Sequence, residues 1–600
     1  MEDDVLSYYE RELTFIREMG AEFAKKYPKI AGRLLLEPDK CEDPHTERLI
    51  EAFALLSGRV HKKIDDGFPE ITEALLQIIY PHYISPIPSM SVVKFDPQNT
   101  TPPSGYRIER RTPLYSKPVG GIPCQFATGY PVTLWPIEVV SASLGPPKKV
   151  MANVQQALAV TLKTYNGLSF SQLGWESLRF FLNGPGQHVF HLRELLLNNV
   201  CHVECEWKDM QGRRRALSLR PDHIRPVGFE PDEGLIPHPP RSFPAYLLLF
   251  EYFAFPEKFL FFDINGLDRL GPTDVGDTLE MWIYLDRTAQ SNLLVSADTF
   301  CLNATPVINL FPRVAEPISV EHRKTEYRVI PDIRRTEATE VFSVDRVVSS
   351  SAVYEGKDVV FEPFYSIRHH LVGEDDQGER AFWCLQRRPS GRKGDDGTDV
   401  YLSFVNWNFL SVDPDVETVT VHATCTNRDL PARLPFRDRS GDFDMEIAAP
   451  VARITCLMKP TPTRRPPLGG PLQWRLISHL SLNYMSLAEG GEEALREILK
   501  LYDFDNSPTT RQQISGIVSL RSGYVTKRIG QSFCRGVQVT VEFDEDKFVG
   551  IGVYLLASIL ERFLGQYVSI NSFSQMVAET SQRKEALKKW PPRNGNRILL

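Results

Sequence analysis

Apolar residues recur every three or four positions through the first part of the chain. Val5, Tyr9, Leu13, Ile16, Gly20, Phe23 and Tyr27 fall on one stripe, with Glu10, Arg11, Arg17, Glu18 and Glu22 elsewhere, which predicts a helix. Pro28 stops or kinks it. Asp43-Pro44 is a good cap for a second helix, whose stripe is Leu49, Phe53, Leu56, Val60 and Ile64. A third helix is expected from Pro69 to Tyr80, apolar at Ile71, Leu75, Ile78 and Ile79, with Pro81 at its end. Tyr8, Phe15 and Met19 widen the apolar surface of the first helix beyond one stripe. Two readings stay open. The helices pack on one another, or they offer a face to a partner's helices, carried by Tyr9, Leu13, Phe15, Ile16, Met19 and Phe23.

From about residue 90 to 460 the pattern changes. Short runs of Val, Ile, Leu, Phe and Tyr alternate with Pro, Gly, Asn and Asp turns, as in β-rich domains of sandwich or barrel type. Helical interruptions are expected at Leu192 to Asn198 and at Ala245 to Phe253. The boundary between two β-rich domains is placed near 330, at PDIRRTEATEVF. The proline-rich KPTPTRRPPLGG, from Lys459, reads as a linker into an α+β region. That region is expected to hold helices at Leu472 to Leu487, Glu492 to Tyr502 and Phe548 to Leu564, strands at Val537 to Phe543 and Val568 to Phe573, and a loose basic tail after Ser581. The fold class is α+β multidomain: an N-terminal helical segment (1–89), β-rich central domains (90–330 and 331–462) and a C-terminal α+β domain (463–600).

One stretch stands out, from Gly228 to Ile264: GFEPDEGLIPHPPRSFPAYLLLFEYFAFPEKFLFFDI. It holds six prolines and ten aromatic residues. Prolines fix φ and remove backbone donors, so the segment reads as locked backbone around aromatic bulk. Turns are expected at Asp232-Glu233-Gly234 and His238-Pro239, then a helix capped by Ser242 and ended by Pro256, then a buried strand from Lys258 to Ile264. Pro231, Pro239, Pro240, Phe243, Phe253 and Phe255 are the candidate members of this structural hub.

Composition narrows the function. A net charge of −7 disfavours general nucleic-acid binding, which needs a basic footprint. Nine scattered cysteines point to a reducing compartment. Cys201 and Cys205 flank His202, but no second ligand cluster accompanies them, so no metal or cofactor is expected. The acidic start MEDDVLSYYE is not a signal peptide, and no apolar run reaches the ~18 residues of a membrane span. A cytoplasmic protein is expected, meeting a membrane only through partners.

Catalytic motifs are missing. There is no GxxxxGK[ST], GxSxG or HExxH. Glu230, Asp232 and Glu233 could be imagined as an acid and base, but their place among prolines and glycines favours a turn role. His82, between two tyrosines, reads as a packed histidine. The loops EDDQG (Glu374 to Gly378) and GRKGDDG (Gly391 to Gly397) lack the closing glutamate of a calcium loop and read as solvated hairpin loops. Thr305 to Asp332 and Cys425 to Pro435 again mix proline with Arg and Asp, and read as junctions between domains or subunits. No enzyme is indicated, although a carbohydrate-active hydrolase with a hidden carboxylate pair stays as an alternative.

Long motifs in order then give a resemblance. They are YYERELTFIREMGAEFAKKYPKIAGRL (Tyr8 to Leu34), YPHYISPIPSM (Tyr80 to Met90), CQFATGYPVTLWP (Cys124 to Pro136), the hub, NLFPR with HRKTEYRV (Asn309 to Val329), and CTNRDLPARLP (Cys425 to Pro435). Together they resemble, nearly end to end, the TssF family, also called VasA or ImpG, of type VI secretion baseplate subunits. The resemblance implies a structural wedge protein similar to those of contractile phage tails. Two such copies would join one TssG, TssK and TssE would dock on that core, and the wedges would surround the spike VgrG. A wedge protein of another contractile particle, such as a phage tail, is the remaining alternative.

Overall fold

The computed structural model describes residues 2–32, 43–65, 69–238, 244–350, 359–364, 382–405, 418–468, 473, 476–477 and 491–595, except 210, 272, 274, 291–292, 322, 506, 530–531, 567 and 569–571. The chain divides into two compact units: Met1–Ile79 with Pro467–Ser481, and Tyr80–Pro466 with Leu482–Leu600.

The smaller unit is helical. It holds α1 (Glu2–Lys26), the single turn α2 (Pro28–Ala31), α3 (Pro44–Asp65) and α4 (Pro69–Ile79). Proline opens α2, α3 and α4, where its fixed φ suits the first turn and its missing N–H is no loss. α1 and α3 run antiparallel, since Glu12 meets His61 while Arg17 meets Glu47. Thr72 on α4 donates a hydrogen bond to the Gln473 side chain, 2.6 Å, so the return of the chain past the linker belongs to this unit. Most of the helix expected at Leu472 to Leu487 lies outside the described residues.

The larger unit is built on β-structure. A closed six-stranded barrel runs in the order Met90–Pro97, Ala304–Ile308, Gln125–Thr128, Pro113–Ser116, Phe443–Asp444, Val451–Cys456. Val93, Phe95, Leu114, Phe126, Val307, Phe443 and Ile454 fill it. Its strands come from three distant parts of the chain. The segments between them form other bodies. A five-stranded sheet (Arg214–Leu219, Val200–Lys208, Thr278–Leu285, Gln156–Thr164, Ile137–Gly145) and a four-stranded one (Ile224–Pro226, Phe261–Asn265, Ser177–Leu182, Phe300–Cys301) arise between residues 128 and 304, with α5 (Gly186–Asn198) and α6 (Pro244–Ala254).

Between the barrel strands Ala304–Ile308 and Phe443–Asp444 lies a β-sandwich. One sheet holds Phe311–Val314, Thr418–Thr426, Glu340–Ser350 and Val359–Phe361, and the other Tyr327–Arg328, Thr398–Val405 and Phe382–Pro389. Val347, Val419, Val421, Leu402, Phe404 and Trp383 meet between them. The boundary expected near 330 therefore needs correction, and with it the ranges 90–330 and 331–462. Residue 330 lies inside the sandwich, because Tyr327 pairs with Leu402 and the charged PDIRR run is only a short turn between two of its strands. The second β-body is an insertion in the barrel, not its successor.

The last sheet joins Ile517–Ile529, Ser532–Phe543, Phe573–Thr580 and Lys588–Lys589, with Arg593–Asn594 also on Phe573–Thr580. The helices here are α7 (Gly491–Lys500), α8 (Pro508–Ser515) and α9 (Val553–Gly565). Ser532–Phe543 and Phe573–Thr580 are parallel, and α9 is the crossover such a pair requires. The closing strand expected at Val568 to Phe573 lies mostly outside the described residues, and a strand is described from Phe573 to Thr580. One expectation fails here: as far as residue 595 the tail is not loose, since it pairs as strands and Arg593 grips Glu561 at 2.7 Å and 2.9 Å.

Candidate assembly surface

In an ordinary helical hairpin the large apolar residues face the seam and the polar ones face water. The α1–α3 hairpin reverses this. Among the described residues, the buried ones of the pair are small or polar: Glu12, Ala24, Ala54 and Gly58. A Cβ on Gly58 would stand 3.0 Å from the Tyr9 backbone nitrogen, so glycine is what allows the helix backbones to approach. The Glu12 carboxylate meets His61 Nδ1 at 2.7 Å.

Several of the large apolar side chains point outward. Leu49, Phe53, Leu56 and Val60 step along α3 at helical spacing, with Leu49 71% and Phe53 62% exposed. On α1, Phe15 is 58% exposed, and Met19, Phe23 and Tyr27 are also exposed. Tyr9, Leu13 and Ile16 are half-buried. The structure thus splits the six proposed partner-binding residues into an outward trio (Phe15, Met19, Phe23) and a half-buried one. It adds the α3 stripe, which periodicity identified as apolar without saying which way it faced. Exposed apolar surface on this scale marks interaction sites. Burying side chains that are about half exposed is worth roughly 1 kcal/mol each, so this face can supply several kcal/mol to association.

The hub is built differently. Pro231 opens a 3-10 turn, Pro231–Glu233, and is exposed. The Glu233 carboxylate accepts hydrogen bonds from the backbone N–H groups of Gly228, Phe229 and Glu230, at 2.7, 2.9 and 3.1 Å. That is a turn-stabilising role, with all three bonds on one carboxylate oxygen. Phe253 is half-buried and Phe255 buried. Pro239, Pro240 and Phe243, with Ser242 and the turn at His238-Pro239, lie outside the described residues. α6 is buried along nearly its whole surface rather than on one stripe.

Under the hub sits a pair that the sequence did not single out. Glu251 and Lys258 are both fully buried and form an ion pair. The Glu251 carboxylate also accepts from the backbone N–H groups of Leu235 (2.6 Å) and Ile236 (3.0 Å). Lys258 Nζ donates to the Glu233 carbonyl at 3.3 Å, and its own carbonyl accepts from the Tyr130 hydroxyl at 3.2 Å. A seven-residue spacing across a turn-forming proline was the only available signal. Around them the hub touches three bodies. Arg111 of the barrel region donates to the Leu235 carbonyl at 2.8 Å. Phe262 stacks on Phe180 in the four-stranded sheet, centroids 5.3 Å apart. Tyr246 of α6 meets Phe563 of α9 edge-on at 5.3 Å.

The other motifs resolve as packing. His82 is buried against Tyr80 (4.0 Å between ring centroids) and Phe250, and burial, with His238 nearby, lowers its pKa to about 3. In the strand Val200–Lys208, Cys201 Sγ lies against the Asn153 carbonyl and His202 Nε2 meets the Ser218 hydroxyl at 3.3 Å, while Cys205 is buried, and among the described residues no group of three such ligands gathers there. Burial pushes the Cys205 thiol up to about 12. In the 391–397 loop Asp395 is held by Arg428, which also reaches Asp399 and the Thr339 carbonyl. Arg465 forks onto Glu340 and Asp429. These arginines and acids fasten the sandwich to the barrel and linker, as expected of junction segments.

The chain matches the family described as “Type VI secretion system, TssF” over residues 1–597. It is 37% identical over 623 residues to the type VI secretion system component TssF1 of Pseudomonas aeruginosa, and the match covers 100% of both chains. Among solved structures it is similar to a chain of the type VI secretion system TssK-TssF-TssG baseplate subcomplex, with a TM-score of 0.74 and 26% identity over 92% of this chain and 99% of that one. A chain of the baseplate complex from the type VI secretion system shares the fold, with a TM-score of 0.60 and 22% identity over 99% and 100%. With the match running through both the helical unit and the β-built one, this chain belongs to the TssF family of type VI secretion system proteins.

Proposed function

We propose that this chain is a structural wedge subunit of a type VI secretion baseplate, and that the outward face of its α1–α3 hairpin is completed by helices of a TssG-like partner. The observation that carries the reading is the reversed hairpin: Phe15, Met19, Phe23, Leu49, Phe53, Leu56 and Val60 are exposed while Glu12, Ala54 and Gly58 are buried. A helical partner satisfies such a face, since its own apolar stripe meets side chains at the same spacing. The related subcomplex contains TssG and TssK, which supports both as partners. A second copy of this chain, TssE and VgrG complete the proposed wedge. The hub and the arginine-bridged junctions hold the bodies of the larger unit at fixed positions, so that docking sites keep their geometry. The protein works by holding parts in place, not by turnover. It acts on the cytoplasmic side and reaches the membrane complex through partners. No described helix is long and apolar enough to cross a membrane.

The test is Phe53→Asp with Leu56→Asp, at two exposed positions. Co-expression with TssG is expected to give no co-purified complex, while circular dichroism and thermal melting of the free chain stay unchanged. Normal capture of TssG by that variant would sink the assignment of the face.

A further inference from the structure

Residues 506–541 contain no aspartate or glutamate, yet carry Arg511, Arg521, Lys527, Arg528 and Arg535, in a chain of net charge −7. Most of this stretch is the hairpin of Ile517–Ile529 and Ser532–Phe543. The third strand, Phe573–Thr580, pairs only with Val537 to Phe543. Among the described residues, Val525 to Ile529 and Ser532 to Gly536 therefore run on as a two-stranded ribbon. Two strands alone are marginal in water, so a projecting ribbon gains from company. It is firmly rooted, because a Cβ on Gly536 would lie 2.4 Å from the Phe573 carbonyl oxygen.

The pairing register places Tyr524, Thr526, Arg528, Phe533 and Arg535 on one face. Phe533 is 78% exposed, and the Arg535 guanidinium lies 4.2 Å from the Tyr524 ring centroid. Ile517–Ile529 is also the end strand of its sheet, and among the described residues no strand pairs with its outer edge. Such an edge is a template for an added strand. Cations along it repel like strands. Arg521 is held by Glu579 at 3.1 Å, but beyond it Lys527, Arg528 and Arg535 carry the charge of the ribbon with no acidic residue among them, so an acidic segment is the occupant that complements it.

We propose that this ribbon is a docking arm, which takes an acidic, extended segment of another protein as an added strand along the outer edge of Ile517–Ile529. The carboxylates of that segment face the cations, and its apolar residues cover Phe533. The arm is separate from the α1–α3 face, and the proposal stands or falls independently of it.

The experiment places a photoreactive benzoylphenylalanine at Phe533 in the full chain, within the co-expressed baseplate complex, and maps the crosslinked peptides. A crosslink to an Asp- or Glu-rich segment is expected. Arg528→Glu with Arg535→Glu should lower its yield about tenfold while TssG still co-purifies, which shows that the chain is folded. The proposal is overturned by any of four results: no intermolecular crosslink, a crosslink to a basic segment or to the same ribbon of another copy, a yield insensitive to the charge reversal, or a crosslink lost on nuclease treatment.

Discussion

Asn309 and Asn427 exchange two hydrogen bonds at the place where the chain leaves the barrel for the sandwich and where it comes back. Asn309 Nδ2 donates to Asn427 Oδ1 at 2.8 Å, and the Asn427 backbone N–H donates to Asn309 Oδ1 at 2.7 Å. Both side chains also hold Gln125 of the barrel, one through its carbonyl (2.8 Å) and one through its N–H (2.9 Å). The two bonds between the asparagines are buried and the two to Gln125 partly so, and losing either side chain strands the partners of the other. Asn427→Ala and Asn309→Ala should each destabilise by about 1–3 kcal/mol. The double variant should cost clearly less than the sum, because the two act as one unit. Urea denaturation of all three measures this, and strict additivity would show that the pair is not coupled.

The Glu251–Lys258 pair makes a second case. Removing one partner leaves a fully buried charge, so Lys258→Met or Glu251→Gln should each cost about 3–5 kcal/mol. Combining them should recover part of the loss, since the remaining glutamine can still accept from Leu235 and Ile236. Chemical denaturation followed by tryptophan fluorescence tests it. A double variant no better than the worse single one would show that the ion pair is not what the site responds to.

His82 gives a pH dependence with a fixed sign. Burial lowers its pKa from the ordinary 6.5 to about 3, so between these values the unfolded chain holds a proton that the folded one refuses. Folding stability therefore rises with pH through this window and is lost on acidification. His82→Phe, which keeps an aromatic ring beside Tyr80 and Phe250, removes the group. The stability of the variant relative to the parent should increase by about 2 kcal/mol between pH 7 and pH 5. Denaturation at the two pH values checks it, and a difference that does not change with pH would refute it.

Gly58 should behave against helix propensity. Replacing a mid-helix glycine by alanine ordinarily stabilises by about 1 kcal/mol. Here the new Cβ meets the Tyr9 nitrogen at 3.0 Å and the Tyr8 carbonyl carbon at 3.1 Å, which are backbone atoms of a facing helix. Overpacking costs about 1–3 kcal/mol, so Gly58→Ala should be destabilising and Gly58→Leu more so. Thermal melts by circular dichroism decide the sign.

Much of this was legible in the chain, and the gaps have identifiable causes. The N-terminal helices, α6 and α9 announce themselves through apolar period and proline punctuation. The direction of the α1–α3 face did not, because it depends on Ala24, Ala54 and Gly58 rather than on the apolar residues themselves. The boundary near 330 failed because Pro331, Arg334 and Arg335 look like a linker, and a turn inside a sandwich uses the same residues. The strand Ile517–Ile529 went unread since Arg521, Ser522, Gly523, Lys527 and Arg528 break its alternation. The barrel could not be assembled from local pattern, since Met90–Pro97 pairs with Ala304–Ile308 and Val451–Cys456, and Pro113–Ser116 with Phe443–Asp444, hundreds of residues away. The Glu251–Lys258 pair was hidden because nothing local reports that both positions are sealed from water.

The barrel also sets an order of events during synthesis. Its first strand, Met90–Pro97, is flanked on one side by Ala304–Ile308 and on the other by Val451–Cys456, and Ser91 hydrogen-bonds to the Met458 carbonyl 367 residues away. At ~5–20 residues per second, the ribosome needs about 20 to 70 seconds to deliver that last neighbour. During this interval the sandwich can fold as a finished body, while the first barrel strand waits with an open edge. Slowing translation between residues 430 and 450 should therefore increase aggregation of the nascent chain more than slowing it after 460.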